Sequence, residues 1–175
     1  MAEEKKEQWT QWVALTTTIL AVCAAISSLK GGGYSTKVQL STTMEVNKWA
    51  YFQAKSLKQH VSEQQVALLD VALAEARTEE GRQAARARRD AAAADVRRYD
   101  AEKAEIQKEA EGLQADEAVN KRHGAAFGQA VMLLQIAITL SAVGALIKKQ
   151  PMWWIGLCFG AAGLAYMADG FFLFL

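Results

Sequence analysis

The sequence is short of the residues from which most functional sites are built. Its 175 residues include one proline, two cysteines and two histidines. Cys23 and Cys158 lie far apart and form no CxxC pair, which favours small packing residues over a redox or metal role. His60 and His123 have no carboxylate or cysteine at the spacing of metal ligands, so a metal site is not expected. We find no catalytic constellation and predict no cofactor and no enzyme activity.

The chain also lacks an excess of charge of either sign. Its 20 lysines and arginines are offset by 19 acidic residues, for a net charge of +1. This balance argues against a general nucleic-acid-binding protein. Since about a third of the chain is apolar enough to lie in lipid, the rest is too short for a catalytic domain with its own large core.

Three long apolar runs are present: Trp12 to Leu29, Ala125 to Ile147 and Met152 to Leu175. None contains a lysine or arginine, and Asp169 is the one acid within them. A bilayer core of ~30 Å needs about 20 apolar residues in a helix, so we predict three membrane spans. The first run could instead be a cleaved signal peptide, but the acidic residues in its N-terminal flank favour an uncleaved anchor.

The segment between the first two runs is typical of long, solvent-exposed helices. From Ser35 to Asn120 it has no proline and is rich in Ala, Glu, Gln, Lys and Arg. Thr78 can cap a new helix, which predicts an antiparallel hairpin of helices over 36–77 and 79–120. The run Gly31 to Gly33 is expected to break the helix after the first span.

Apolar residues in alternating steps of three and four predict a coiled-coil seam between the two hairpin helices. An antiparallel register would bring the lysines near Lys48 level with the acids near Glu109, and Leu57 level with Asp100. The aromatic pair Trp49 and Phe52 and the pair Leu69 and Leu73 are expected to pack against neighbouring copies. The seam residues are Ala50, Ala54, Leu57, Val61, Gln64, Leu68 and Val71 on the first helix, and Ala92, Val96, Tyr99, Lys103, Ile106, Ala110 and Leu113 on the second.

One segment carries a family resemblance. The decamer from Trp49 to Lys58, WAYFQAKSLK, resembles the signature of an uncharacterised bacterial membrane family catalogued as domain of unknown function 4337. The resemblance implies a first span, a charged helical region and two closing spans, and it implies no activity. It also implies a multi-pass protein of the bacterial inner membrane.

The decamer admits two interpretations. Its lysines, glutamine and aromatic rims could bind a lipid headgroup or a small anion. Alternatively, it could be a helix-packing motif of an oligomer, with its lysines paired to acids of the second hairpin helix. The candidate residues are Trp49, Tyr51, Phe52, Gln53, Lys55, Ser56 and Lys58.

The closing spans carry small residues on one face of each helix, which predicts close packing between them. Asp169, alone in lipid, could serve a proton relay, but we favour an ion pair with Lys121 or Arg122 at the membrane boundary. The small residues are Gly156, Gly160, Gly163 and Gly170 on the third span, and Ala130, Ala137, Ser141 and Gly144 on the second.

The sequence therefore predicts an all-α protein with three transmembrane helices and a long antiparallel coiled-coil hairpin between the first and second spans. Its segments are 1–29 with the first span, 30–124 as the extramembrane hairpin and 125–175 as the transmembrane hairpin. The expected role is a homo-oligomeric scaffold in contact with membrane lipids. The alternatives are a lipid- or ligand-binding accessory subunit of a transporter or respiratory complex and, less well supported, ion conduction. The basic flank after the first span favours a cytoplasmic hairpin.

Overall fold

The computed structural model describes residues 2–174, with side chains from Trp9 to Phe174. It contains three helices: α1 from Ala2 to Glu75, α2 from Glu79 to Leu146 and α3 from Gln150 to Phe172. No strand occurs within the described range, and each helix is long and apolar enough to cross a membrane. The all-α architecture with three candidate spans is thus confirmed. The predicted third span extends to Leu175, which lies outside the described residues.

The expected helix break at Gly31 to Gly33 is wrong, because α1 runs through all three glycines. None of them has a positive φ, so the run does not use the freedom of glycine to turn. A Cβ added at Gly31 would lie 3.3 Å from Cβ of Phe127, whereas the space beside Gly32 and Gly33 is open. Gly31 therefore lets α2 approach α1 closely.

The turn between α1 and α2 forms where the sequence predicts it. The backbone N–H of Gly81 donates to the Thr78 hydroxyl over 3.2 Å, as an N-cap requires. Glu79 and Glu80 occupy the first turn of α2, where acids favour the helix dipole. The first helix ends at Glu75, two residues before the predicted end at Arg77.

Contacts between Cα atoms divide the chain into two compact units. The membrane unit comprises the residues up to Leu40 together with those from Glu117 onward, and the hairpin unit comprises Ser41 to Asp116. Both units contain parts of α1 and α2. The limits of the extramembrane segment, residues 30 and 124, stay a prediction.

In the membrane unit, α3 presents its glycines to large side chains of α2. A Cβ at Gly163 would lie 2.8 Å from Cγ of Leu134, and one at Gly170 would lie 3.0 Å from the ring of Phe127. Leu134 and Phe127 are fully buried. The two glycines are seven residues apart on α3, and the side chains that they accommodate are seven residues apart on α2. Because glycine has no side chain, the two backbones come close together at both contacts.

The same unit ties α3 to α1. Gly160 accommodates Leu20, whose methyl groups would lie 3.1 and 3.2 Å from an added Cβ. The indole N–H of Trp153 donates to the hydroxyl of Thr16 over 3.2 Å. At the start of α3, Pro151 lies in the first helical turn, where its missing N–H costs nothing.

In the hairpin unit, the residues predicted for the seam of α2 are those that α2 turns inward. Ala92, Ile106 and Ala110 are buried, and the four other seam residues are half-buried. They face α1 and form the inner side of the helix pair. We call them the inner stripe of α2.

The predicted seam of α1 is wrong, because α1 turns a different face toward α2. Leu57 and Leu68 are 68% and 70% exposed. Phe52, Leu69 and Leu73 are half-buried on the side of α1 that faces α2, and their packing against neighbouring copies stays a prediction. The inner stripe of α1 consists of Glu45, Lys48, Phe52, Lys55, Gln59, Ser62, Val66, Leu69, Leu73 and Ala76.

The physical reason is that polar inner positions of α1 find partners on α2. Lys48 pairs with Glu109, and Lys55 pairs with Glu102. Lysine can also bury its aliphatic stem while its ammonium group stays hydrated. Apolar spacing alone does not reveal such ion pairs. Two faces of α1 have heptad spacing, and the prediction therefore took the more hydrophobic face as the one toward α2.

Candidate functional site

The two ion pairs set the register at the decamer. Lys48 pairs with Glu109, and seven residues later Lys55 pairs with Glu102, seven residues earlier on α2. This antiparallel register places Leu57 level with Asp100, as the charge pattern predicts. Leu57 nevertheless points away from α2.

Lys55 lies at the centre of the decamer's inner side. Its Nζ lies 5.2 Å from the ring centroid of Tyr51 and 5.5 Å from that of Tyr99, within cation–π range. The hydrogen bond to Glu102, and a smaller one to Tyr51, raise the pKa of Lys55. The same bond from Lys55 lowers the pKa of Glu102. Both groups are therefore held in their charged forms.

The aromatic residues of the decamer divide between the inside and the surface. Phe52 lies beneath Lys103, whose Nζ is 5.5 Å from its ring centroid. Trp49 meets Phe52 edge to face at 5.6 Å and donates its indole N–H to Glu45 over 3.3 Å. Trp49 remains 36% exposed, so of this pair only Trp49 offers an outward surface.

The structure does not bring the decamer's lysines together as a free anion site. A groove of about 340 Å³ lies beside Lys48, Tyr51 and Lys55. Three acidic residues of α2 also line it: Glu102, Glu105 and Glu109. These acids would repel an anion that entered the groove. Of the other candidates, Ser56 is half-buried, whereas Gln53 and Lys58 are exposed. The contacts support the predicted pairing of the lysines with α2 at Lys55, whereas a role of this segment in an oligomer stays a prediction.

The outward face of α1 in the hairpin is uncovered. We call it the outer stripe: Ala50, Ala54, Leu57, Val61, Gln64, Leu68 and Val71. Its members are exposed, and they keep heptad spacing over more than 20 residues. On the outward face of α2, by contrast, charged residues such as Arg97, Lys108 and Glu111 interrupt the alanines. Of the two described hairpin helices between residues 41 and 116, α1 therefore presents the more apolar outward face, interrupted by Gln64.

In the membrane unit, Asp169 is 6% exposed. Lys121 pairs with Glu117, one turn earlier on α2, and Arg122 is exposed. The proposed pairing of Asp169 with Lys121 or Arg122 stays a prediction.

An aromatic cluster that the sequence analysis missed lies near Asp169. The ring of Tyr34 stacks on His123 at 4.6 Å and lies 5.9 Å from Phe127. Nδ1 of His123 lies 2.8 Å from the carbonyl oxygen of Gly170 and donates to it. The predicted span limits place Tyr34, His123 and Gly170 near the same membrane boundary. They do not predict that the rings of Tyr34 and His123 stack.

The small residues of the closing spans come together as a set. Gly156, Gly160, Gly163, Ala137, Ser141 and Gly144 are all buried. The residues missed by the sequence analysis are Phe127 and Leu134. Phe127, Leu134 and Ser141 are spaced by seven residues on α2, as Gly170, Gly163 and Gly156 are on α3. This shared spacing would have allowed the sequence to predict both contacts.

Comparison with known proteins identifies the family. A family model described as domain of unknown function DUF4337 matches residues 9–173. The match covers almost the whole chain, which therefore belongs to this family. No curated protein and no solved structure matches the chain. Within the described residues, no group of three or more His, Cys, Asp or Glu side chains could hold a metal ion.

Proposed function

We propose that this DUF4337 protein is a homo-oligomeric membrane scaffold whose hairpins associate laterally through the outer stripe of α1. The observation that carries the proposal is the exposure of this stripe, with Leu57 at 68%, Leu68 at 70%, Val71 at 56% and Val61 at 47%. A largely apolar, heptad-spaced face on an otherwise charged helix pair is suited to association.

The partner we propose for the stripe is the same stripe of a second copy. Copies inserted into the membrane with one topology carry their hairpins on the same side, so their α1 helices run parallel. A parallel pair related by a twofold axis brings each stripe residue against its own counterpart. The stripe then acts as the seam of a two-stranded coiled coil.

The residue types suit such a seam. Val61 at an a position and Leu57 at a d position favour two strands, whereas Leu68 and Val71 have the reverse order and do not add to this preference. Gln64 is the one polar core position, and two copies of it can hydrogen-bond across the axis. A single polar a position specifies register at some cost in stability, and we propose the same role for Gln64 at a d position.

The flanking positions present no like-charge repulsion. In a parallel pair Gln53 lies beside Lys58 of the second copy, and His60 beside Gln65. Ala67 and Ala72 continue the flank toward the end of the stripe. A second copy is therefore electrostatically compatible with the stripe over its full length.

The proposal places the protein in the bacterial inner membrane with a cytoplasmic hairpin. The lysines that follow the first span, Lys30 and Lys37, support this orientation through the positive-inside rule. If a helix of another protein covered the stripe instead, the chain would be an accessory subunit of a larger complex.

Cysteine cross-linking in native membranes tests the proposal. In a Cys23→Ala, Cys158→Ala background, Leu57→Cys should form a disulfide-linked dimer under mild oxidation, because the seam holds both thiols within reach. Ala101→Cys is the matched control, since it is exposed near the same level of the hairpin but on α2.

The two variants separate specific association from random collision. Efficient dimers from Leu57→Cys alone would support the scaffold. Equal yields from both variants would contradict it. Linkage of Leu57→Cys to a different protein, without homodimers, would replace the scaffold with the accessory role.

A further inference from the structure

We infer a second site, which binds the phosphate of an anionic phospholipid, in a cleft on α1 at the end of the first span. The cleft has a volume of about 310 Å³ and is lined by Leu29, Lys30, Gly33, Tyr34 and Lys37. We call it the lysine cleft. It lies within the membrane unit and does not depend on the proposed association of hairpins.

The two lysines of the cleft differ from those of the decamer. Nζ of Lys30 lies 5.9 Å from the ring centroid of Phe171, and Nζ of Lys37 lies 5.1 Å from that of Tyr34. Each of these ammonium groups thus lies over an aromatic face, whereas Lys55 of the decamer and the neighbouring Lys48 pair with carboxylates. A cation over a ring keeps its positive charge available to an anion.

The aromatic rings beside the cleft lysines, Tyr34 and Phe171, are themselves packed against other residues. Tyr34 stacks on His123, which donates to the carbonyl of Gly170, and Phe127 packs edge to face on Phe171 at 5.0 Å. The lysines consequently extend from a supported surface. Since Lys30 and Lys37 are one heptad apart, they lie on one face of α1 about 10 Å apart along the axis.

Gly33 creates the space between the lysines. A Cβ added there would meet no atom within 4 Å, so the position is open. With no side chain at residue 33, a phosphate can approach the backbone of α1 between the two ammonium groups. A larger residue would fill the cleft while leaving both charges in place.

Lipid is favoured over free phosphate by the apolar surface at the same level. Leu29 is 79% exposed and Phe172 is 80% exposed, and both can contact acyl chains. Lys30 directly follows the first apolar run, at the depth where headgroups lie. Lysines near a membrane surface each contribute ~1 kcal/mol to the attraction of anionic lipid.

Native mass spectrometry of the detergent-solubilised protein tests the site with phosphatidylglycerol as the probe and phosphatidylcholine as the neutral comparator. Lys30→Gln with Lys37→Gln should lower phosphatidylglycerol binding by about tenfold or more. The matched control, Lys148→Gln with Lys149→Gln, removes the same charge from the turn between α2 and α3. It should leave most of the binding in place.

Gly33→Leu is the charge-preserving variant and keeps the test decisive if the double lysine variant fails to fold. It should also weaken phosphatidylglycerol binding, because it fills the cleft. Equal losses from both lysine pairs, or full binding by Gly33→Leu, would reduce the effect to general charge attraction and overturn the site. Lysine-dependent displacement of the lipid by millimolar inorganic phosphate would assign the cleft to free phosphate instead.

Discussion

The membrane unit and the hairpin unit solve the problem of helix packing in opposite ways. In the membrane unit, Phe127 and Leu134 are fully buried against glycines of α3. In the hairpin unit, charged side chains such as Lys55 and Glu102 occupy the contact between the helices. The leucines Leu57 and Leu68 remain outside it.

This difference teaches that the two units are not equally complete in a single copy of the chain. The membrane unit buries Phe127 and Leu134 within itself, and its many exposed apolar side chains, such as Leu29 and Leu146, can face lipid. The hairpin unit leaves a heptad-spaced apolar face in water, where burial would release about 25 cal/mol per Å². The hairpin therefore has more to gain from a second copy.

The largest expected effect contrasts the two faces of the hairpin. Ile106→Ala removes a side chain that is 6% exposed, and it should lower the free energy of hairpin unfolding by about 2 kcal/mol or more. Leu57→Ala should be nearly neutral when the solubilised protein is dilute enough to be monomeric. Hydrogen exchange of the hairpin amides measures both, and similar losses in both variants would break the comparison.

A smaller effect tests the packing of the membrane unit. Gly163→Ala places a methyl group 2.8 Å from Leu134, and such overpacking should cost about 1–3 kcal/mol. Gly128→Ala is the control on α2, because nothing lies within 4 Å of the added Cβ. Thermal unfolding in detergent should show a lower midpoint for Gly163→Ala and no loss for Gly128→Ala. The reverse order would contradict the observed α2–α3 contact.

The smallest effect concerns the ion pair inside the hairpin. Because the folded-state pKa of Glu102 is lowered by Lys55, the pair stabilises the fold above the ordinary glutamate pKa of about 4.3. This stability is lost as pH falls through the lowered value. Glu102→Gln should flatten the acid side of a hairpin-stability profile slightly, most clearly at low salt. If Glu102→Gln left the dependence of hairpin stability on pH unchanged, the ion pair would not stabilise the hairpin.

The sequence predicts the elements of this fold better than the faces they use. Apolar length predicts the three spans, Thr78 predicts the turn, and the inward face of α2 agrees with the prediction because its large apolar residues lie on one face. On α1 two faces share heptad spacing, so apolar content alone could not decide between them. The partners Glu102 and Glu109 decide it, and they become visible only once α2 is in place.

The lysine cleft could not be predicted for a similar reason. Gly31 to Gly33 indicated a helix break, yet Gly31 serves close approach to Phe127 and Gly33 leaves open space. Tyr34 and His123 are nearly 90 residues apart in sequence. Their stacking depends on the antiparallel course of α1 and α2, which local patterns do not specify in such detail.

Sedimentation equilibrium in density-matched detergent tests the central claim most directly. The wild-type protein at low micromolar concentration should have the mass of a dimer or a larger assembly. Leu57→Glu with Leu68→Glu should weaken association by at least about a hundredfold, because each buried leucine contributes about 1.5–3 kcal/mol. A wild-type monomer, or an assembly unchanged by these substitutions, would contradict the account.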